Sequence, residues 1–117
     1  MPQAGPIAIA DDRTSGRLLA VQDGAVVGSL AYFVLAGAPH ALVAVHTVVE
    51  PGHEGRGIAS DLVRTFYGIA ADEGVPVVPL CPYAARWAAK HPDQAPGAAA
   101  GVVAAAKAQL DADPDLW

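Results

Sequence analysis

One stretch constrains this 117-residue chain more than any other: the glycine-rich segment Pro-Gly-His-Glu-Gly-Arg-Gly-Ile-Ala at residues 51–59. An uncharged, β-branched run at residues 41–49 precedes it, and an apolar pattern of helical period begins at about Ile58. Where a strand leads through a turn into a helix, the first free N–H groups of the helix converge and carry partial positive charge. Gly55 and Gly57 permit a tight bend with no Cβ between backbone and ligand. The stretch therefore predicts a site for phosphate or pyrophosphate.

Two common phosphate-binding motifs match this turn only in part. Gly52 and Gly57 have the P-loop spacing, but Ile58 and Ala59 stand where that motif needs lysine and a hydroxyl. The dinucleotide fingerprint needs a third small residue, which Ser60 supplies, but the surrounding βαβ pattern is poor. A nucleotide-binding or interaction domain stays open as one interpretation.

Composition excludes several other classes of function. The chain is 53% hydrophobic and 16% charged, which is typical of one folded domain. Its net charge of −5, with no basic cluster, argues against a nucleic-acid partner. The single cysteine, Cys81, cannot form an intrachain disulfide or a cysteine-rich metal site, and the four histidines lack the spacing of a metal motif. No signal-peptide pattern is present at residues 1–12, so we expect a cytoplasmic protein.

Apolar patterning divides the first half of the chain into strands. Residues 1–15 are irregular or an imperfect edge strand, and residues 17–22 form a strand that ends at the hairpin signal Asp23-Gly24. Residues 25–49 lack Asp, Glu, Lys and Arg and are long enough to span a bilayer. We predict instead two buried strands, 25–35 with a bulge near Gly28 and 41–49, joined by a turn at 37–39, and no membrane partner.

The second half reads as helices around one short strand. The best helix covers residues 57–73, with an apolar face that Gly74 and Pro76 bring to an end. A buried strand at 75–80 should pair in parallel with the strand before the helix. A short helix follows from Pro82 to about residue 91, and an Ala-rich helix is predicted at 95–110, with Val103, Ala106 and Leu110 on its stripe.

This order of elements, with its motifs, resembles the GNAT superfamily of acetyl-coenzyme A-dependent N-acetyltransferases. The Arg-Gly-Ile-Ala of residues 56–59 is similar to motif A of that superfamily, although Glu54 stands where Gln or Arg is usual. The chain resembles more closely a short, single-domain branch of that superfamily, with His-Thr at 46–47, Gly-Arg-Gly-Ile-Ala at 55–59, Pro-Leu-Cys-Pro-Tyr at 79–83 and His-Pro at 91–92. The resemblance implies an α/β (α+β) fold with a mostly antiparallel sheet, a V-shaped splay and flanking helices. We divide the chain into a GNAT-like domain, 1–96, and a C-terminal Ala-rich helix and acidic tail, 97–117.

The resemblance also implies where acetyl-coenzyme A binds. Its pyrophosphate is expected on the backbone of the turn, its pantetheine arm along the preceding strand, and its 3′-phosphate side towards the first turns of the helix. The residues so implied are Val48, Val49, Glu54, Gly55, Arg56, Gly57, Ile58, Ala59, Ser60 and Arg64. Each has a structural alternative, since a glycine turn is often only a turn and Arg56 and Arg64 also suit a solvated helix face.

Acetyl transfer to an amine requires a base, an oxyanion donor and an acid for the leaving thiolate. His46 is the candidate base because an unperturbed imidazole titrates near neutrality, and Glu50 is the runner-up. Tyr83 and Cys81 compete for the acid role, and Cys81 is also a candidate for carrying the acetyl group itself, a route ranked below direct attack. Each of these residues also suits a purely structural position in the core.

These observations lead to ranked hypotheses of function. The first is an N-acetyltransferase that uses acetyl-coenzyme A and acts on a primary amine of a small molecule or protein, as a monomer or weak dimer. The second is a non-catalytic acyl-coenzyme A-binding module, favoured by Glu54 and by the lack of the usual helical segment between the first strands. The acidic charge balance suits a cationic acceptor.

Overall fold

The sheet positions every other part of this fold. In a computed structural model that describes residues 6–35, 40–55 and 57–112, five strands form one sheet in chain order. They are β1 (Ala8–Asp12), β2 (Arg17–Gln22), β3 (Ala25–Val34), β4 (Leu42–Val49) and β5 (Val77–Pro79). Strands β1 to β4 pair antiparallel, and β5 pairs with β4 in parallel. The predicted mixed α/β class with a mostly antiparallel sheet is confirmed.

The strand predictions hold for most of the sheet. Between β2 and β3, Asp23 and Gly24 both have positive φ, at 53° and 79°, as a two-residue hairpin turn with the right twist requires. The imperfect edge strand is β1, and β5 is shorter at both ends than the predicted 75–80. The predicted turn at 37–39 lies outside the described residues.

Helix α1 (Ile58–Glu73) follows the predicted periodicity closely. Ile58, Leu62 and Phe66 are buried along one face against the sheet. The helix ends at Gly74, whose left-handed backbone (φ 71°) lets its N–H reach the carbonyls of the last turn. Helix α2 (Pro82–Lys90) begins with proline, as predicted, where a missing N–H costs nothing.

Helix α3 (Ala100–Ala112) differs from its prediction. It begins at Ala100 rather than at residue 95, because Pro96 and Gly97 favour an irregular backbone before it. Its buried residues are Val102 and Ala106, whereas Val103 and Leu110 of the predicted stripe are only partly buried. The Ala-rich composition gave too weak a contrast between faces to fix the rotation of this helix.

Apolar residues are buried on both faces of the sheet. Helices α1 and α2 pack on one face, and α3 packs on the other against β5 and its neighbours. The charge-free segment that is long enough to span a bilayer supplies β3 and β4, the central strands of this double-sided core. No helix in the described part of the chain is both long and apolar enough to cross a membrane.

Two irregularities bend the sheet near the glycine turn. Strand β3 carries an extra residue, Val27, next to Gly28, as predicted. A Cβ added at Gly28 would lie 2.9 Å from Cγ2 of Ile58, so glycine is needed for α1 to approach the sheet. Strand β4 carries an extra residue, Val45, because Tyr32 pairs with Ala44 and the preceding residue pairs with His46. Such bulges twist a strand and change the direction of the residues that follow.

Candidate functional site

The centre of the candidate site is the place where β4 and β5 separate. Their pairing ends at Ala44 and Pro79, and the N–H groups of Leu80 and Cys81 both donate to the Ala44 carbonyl at 3.0 Å. Beyond that point β4 continues to Val49 without β5 beside it. We call the space between the diverging strands the notch. It realises the splayed sheet that the resemblance predicts.

The backbone of β4 offers free polar groups to this notch. The N–H of Glu50 donates to the Val27 carbonyl on the β3 side at 2.9 Å. Because neighbouring residues of a strand direct their N–H and C=O groups to opposite sides, Val49 and Thr47 direct theirs towards the notch. Val48 directs its backbone to β3, and its side chain is 51% exposed on the other face of the sheet. An extended ligand in the notch would therefore pair with Thr47 and Val49.

The glycine turn leads from this free strand end into α1. Gly52, Gly55 and Gly57 have φ of 86°, 79° and 80°, a left-handed region that disfavours other residues. Gly57 is the residue before the helix, and no side chain caps the first N–H groups of α1. A Cβ added at Gly57 meets no atom within 4 Å, so this side is open. Unbonded N–H groups facing open space are what an anion needs.

A cavity of about 290 Å³ lies at this helix start, and we call it the cradle. Seven of the predicted residues line it together: Val49, Glu54, Gly55, Gly57, Ile58, Ala59 and Tyr83. Arg56 lies outside the described residues. Glu54 bends back so that its Oε2 accepts from the Gly52 N–H at 3.1 Å, which holds the turn.

His53 also lines the cradle, although the sequence analysis assigned it no role in a binding site. Its N–H donates to the Glu50 carbonyl at 3.1 Å, which fixes the start of the turn. Its side-chain Nδ1 is buried and has no hydrogen-bond partner within the described residues. A buried polar atom without a partner is uncommon in folded proteins and requires explanation. The position of His53 inside the glycine turn was the signal that could have identified it.

Cys81 and Tyr83 lie on the same face of the sheet as α1. Cys81 is 4% exposed and immediately precedes α2, with its Sγ 3.4 Å from the hydroxyl of Thr47. Tyr83 is half-buried, two residues further on, in the wall of the cradle. The contact between Cys81 and Thr47 joins β4 to the start of α2 across the notch.

His46 lies on the opposite face of the sheet from Cys81 and Tyr83. Cross-strand partners share a face, and the partner of His46 is Ala31, whereas that of Thr47 is the core residue Leu30. His46 is half-buried. The structure thus places Cys81 and Tyr83 on the α1 face of the sheet, with Tyr83 alone of the two in the cradle wall, and places His46 on the opposite face of β4.

Ser60 and Arg64 are engaged in contacts with their neighbours on α1 and α2. Ser60 Oγ accepts from the Trp87 indole N–H at 2.9 Å. Arg64 donates to Asp61 at 3.0 Å, and its guanidinium lies 5.9 Å from the centre of the Trp87 ring. A second cavity, of about 230 Å³, adjoins them and shares Tyr83 with the cradle.

Comparison with known proteins assigns the class. The family model described as GCN5-related N-acetyl-transferase matches residues 17–96, and the chain therefore belongs to that family. The matched segment runs from β2 through α2 and includes both the glycine turn and the notch. The comparison with curated proteins gave no match.

Two solved structures illustrate the likeness. A ribosomal-protein-alanine N-acetyltransferase from Brucella melitensis biovar Abortus is 24% identical with a TM-score of 0.53, over 70% of this chain and 63% of that one. This likeness concerns the fold. An aminoglycoside acetyltransferase from an uncultured soil metagenomic sample is 28% identical with a TM-score of 0.48, over 53% of this chain and 43% of that one. The present chain thus spans less than two thirds of either protein.

Proposed function

We propose that this chain is an N-acetyltransferase that uses acetyl-coenzyme A and transfers the acetyl group to a primary amine of a small molecule or protein. The observation that carries the proposal is the continuity of the notch with the cradle. A strand with free polar backbone groups leads directly into an uncapped helix start in a glycine turn. Family membership supports acetyl transfer, and this geometry fits a long ligand with an anionic centre and an extended arm.

The cradle residues bind the pyrophosphate through backbone rather than side-chain groups. The N–H groups of Gly57, Ile58 and Ala59 are at the start of α1, where the helix dipole favours negative charge. Arg56 adds a positive charge in this proposal. Glu54 is compatible with the ligand because its carboxylate is turned back on to Gly52.

The pantetheine arm pairs with β4 as an added strand. Thr47 and Val49 supply the hydrogen-bonding groups, because alternate residues of a strand direct their backbone groups to the same side. Val48 contributes a side chain on the far face of the sheet. Amide groups of the arm are matched to a strand edge that β5 leaves free. The reactive end of the ligand then lies beside Ala44, where the strands meet.

Acetyl-coenzyme A supplies an activated thioester, and the chain's own groups handle the protons. His46 accepts the proton of the attacking amine from the face of the sheet opposite α1, with Glu50 as the runner-up. Tyr83 or Cys81 protonates the leaving thiolate from the α1 face. Direct attack by the amine ranks above acetylation of Cys81, because that thiol is 4% exposed and in contact with Thr47.

A non-catalytic acyl-coenzyme A-binding module is the second candidate. The connection between β1 and β2 is a short turn at residues 13–16, with no helical segment to shape an acceptor site above the sheet. Such a module would keep the cradle and the notch and lack turnover.

Calorimetric titration with acetyl-coenzyme A, with ATP and NAD as controls, tests the first part of the proposal. Selective binding of acetyl-coenzyme A is expected, because only this ligand fills both the cradle and the notch. A folded sample that binds none of the three would exclude both candidates. Acetyl turnover with a panel of polyamines and lysine peptides then separates the enzyme from the module.

A further inference from the structure

The second cavity has an unusual charge for this protein. It is a groove between the first turns of α1 and the outer side of α2, and we call it the basic groove; it is lined by Ser60, Tyr83, Arg86, Trp87, Lys90 and His91. The chain carries a net charge of −5, yet α2 contains two cations and no acid. Arg86 and Lys90 are four residues apart, so both lie on the same side of the helix.

The cations of the basic groove differ in whether they are already paired. Arg64, beside the groove, forms an ion pair with Asp61 at 3.0 Å. Arg86 and Lys90 form no ion pair with any residue in 6–35, 40–55 or 57–112. Two like charges one helical turn apart repel each other unless an anion lies between them. The groove therefore has unbalanced positive charge on one wall and a shape that admits a group several times the volume of a water molecule.

The groove is continuous with the cradle. Tyr83 lines both cavities, and the adjacent residues Ala59 and Ser60 line one each. A ligand whose pyrophosphate lies in the cradle thus has its next few atoms at the mouth of the groove. In coenzyme A those atoms are the ribose, which carries a further phosphate on its 3′ oxygen.

We propose that the basic groove binds the 3′-phosphate of coenzyme A, with Arg86 and Lys90 as the cations that contact it. This inference rests on the proposed function and adds a specificity to it: the chain distinguishes coenzyme A from its 3′-dephosphorylated form. Ser60 and Arg64, which the resemblance placed on this side, border the groove and position its wall through Trp87.

The groove suits a phosphate better than a stacked base. Trp87 is 4% exposed, with Tyr67 stacked at 5.7 Å and His91 at 4.3 Å between ring centres. Both ring faces of Trp87 are therefore covered by protein, so this indole is not available for stacking on adenine. Charged donors remain, and these bind phosphate oxygens.

The test is calorimetric titration of the full chain with coenzyme A and with dephospho-coenzyme A. The natural chain should bind coenzyme A at least about tenfold more tightly than dephospho-coenzyme A, since hydrogen bonds between charged groups strengthen binding by about this factor. In the double variant Arg86→Gln/Lys90→Gln the affinity for coenzyme A should fall to that for dephospho-coenzyme A, which itself stays nearly constant. Both side chains are exposed, and thermal unfolding checks that the variant folds.

A charge-matched control removes two cations on the other face of the sheet. Arg17→Gln/Lys107→Gln changes net charge by the same amount, and both residues lie away from α1 and α2. It should leave the preference for coenzyme A intact. Equal binding of the two ligands by the natural chain would overturn the groove proposal and leave the proposed function standing. Loss of the preference in the control variant would also overturn it, whereas absence of binding to either ligand would overturn both proposals.

Discussion

The two halves of β4, residues 42–44 (the paired half) and residues 46–49 (the open half), have different surroundings. Leu42, Val43 and Ala44 have β3 on one side and β5 on the other, and all three are buried. His46 to Val49 retain β3 alone, and the exposure rises to 51% at Val48. The bulge at Val45 separates the halves. The difference teaches that one strand can support the core at one end and leave a free backbone edge for a ligand at the other. The change from two neighbouring strands to one occurs over two residues.

The two halves should differ most in how much a truncated side chain lowers the free energy of unfolding. Leu42→Ala should lower the free energy of unfolding by about 2–5 kcal/mol, because the residue is 1% exposed and a cavity would remain. Val48→Ala should change it by less than about 0.5 kcal/mol. Urea unfolding followed by circular dichroism measures both. Equal costs would mean that the open half is as tightly packed as the paired half.

A substitution at the end of the open half should affect binding instead. Gly57→Asp should reduce affinity for coenzyme A about a hundredfold or more, because a carboxylate at the helix start opposes the phosphate and a side chain strains φ of 80°. Titration calorimetry measures the loss.

Two controls separate charge from strain in that experiment. Gly57→Asn has nearly the same shape without the charge and should lose less affinity than Gly57→Asp. Gly24→Asp places the same residue at φ of 79° in the β2–β3 hairpin and should leave affinity unchanged. If Gly24→Asp weakened binding as much, the effect would be one of stability, and the cradle assignment would fail.

The sequence predicted where the strands and α1 lie better than it predicted where β4 loses its partner strand. The alternation of apolar residues and the Asp23-Gly24 turn located the strands, and the period of α1 located its buried face, because local patterns report burial directly. The notch depends on where β5 stops pairing, which is set by the Leu80 and Cys81 bonds to Ala44 and by no local pattern. The bulge at Val45 likewise hid the faces of His46 and Thr47, since one extra residue reverses the alternation.

The sequence therefore predicted which residues form the candidate site better than it predicted how those residues are arranged. Six of the expected cofactor residues line the cradle, because a strand, a glycine turn and a helix start are contiguous in sequence, and the expected catalytic residue Tyr83 joins them from α2. Thr47 and the pair Arg86 and Lys90 were not assigned roles, because their relevance arises only from contacts between distant segments. His53 was missed although it lies within the glycine turn itself. Helix α3 shows the same limit, since an Ala-rich sequence has little contrast from which to read its buried side.

The two sides of the notch should differ in their effect on catalysis. His46→Ala should lower kcat at pH 7 by about a hundredfold with little change in affinity for acetyl-coenzyme A, as for loss of a general base. Cys81→Ala, on the α1 face, should lower kcat less under direct attack, because Tyr83 remains as an acid. Steady-state kinetics with the best amine from the panel measures both. Turnover that persists unchanged in His46→Ala would assign that residue to the core, and complete loss in Cys81→Ala would favour the covalent route.

The smallest predicted effect is a change in the pH dependence of stability, and it concerns the packing of α1 on α2 beside the open half of β4. Burial raises the pKa of Tyr67, which stacks on Trp87, to about 12 from the ordinary value of 10.0. The folded state therefore holds this proton more tightly than the unfolded state does. The resulting contribution to the free energy of unfolding is complete below pH 10 and disappears as the pH rises towards 12. Tyr67→Phe, which keeps the stack, should reduce the loss of unfolding free energy over this interval by about 1–2 kcal/mol. Urea unfolding at pH 9 and pH 11.5 measures the difference. An identical alkaline loss in the variant would show that ionisation of Tyr67 does not contribute to the loss of stability at high pH.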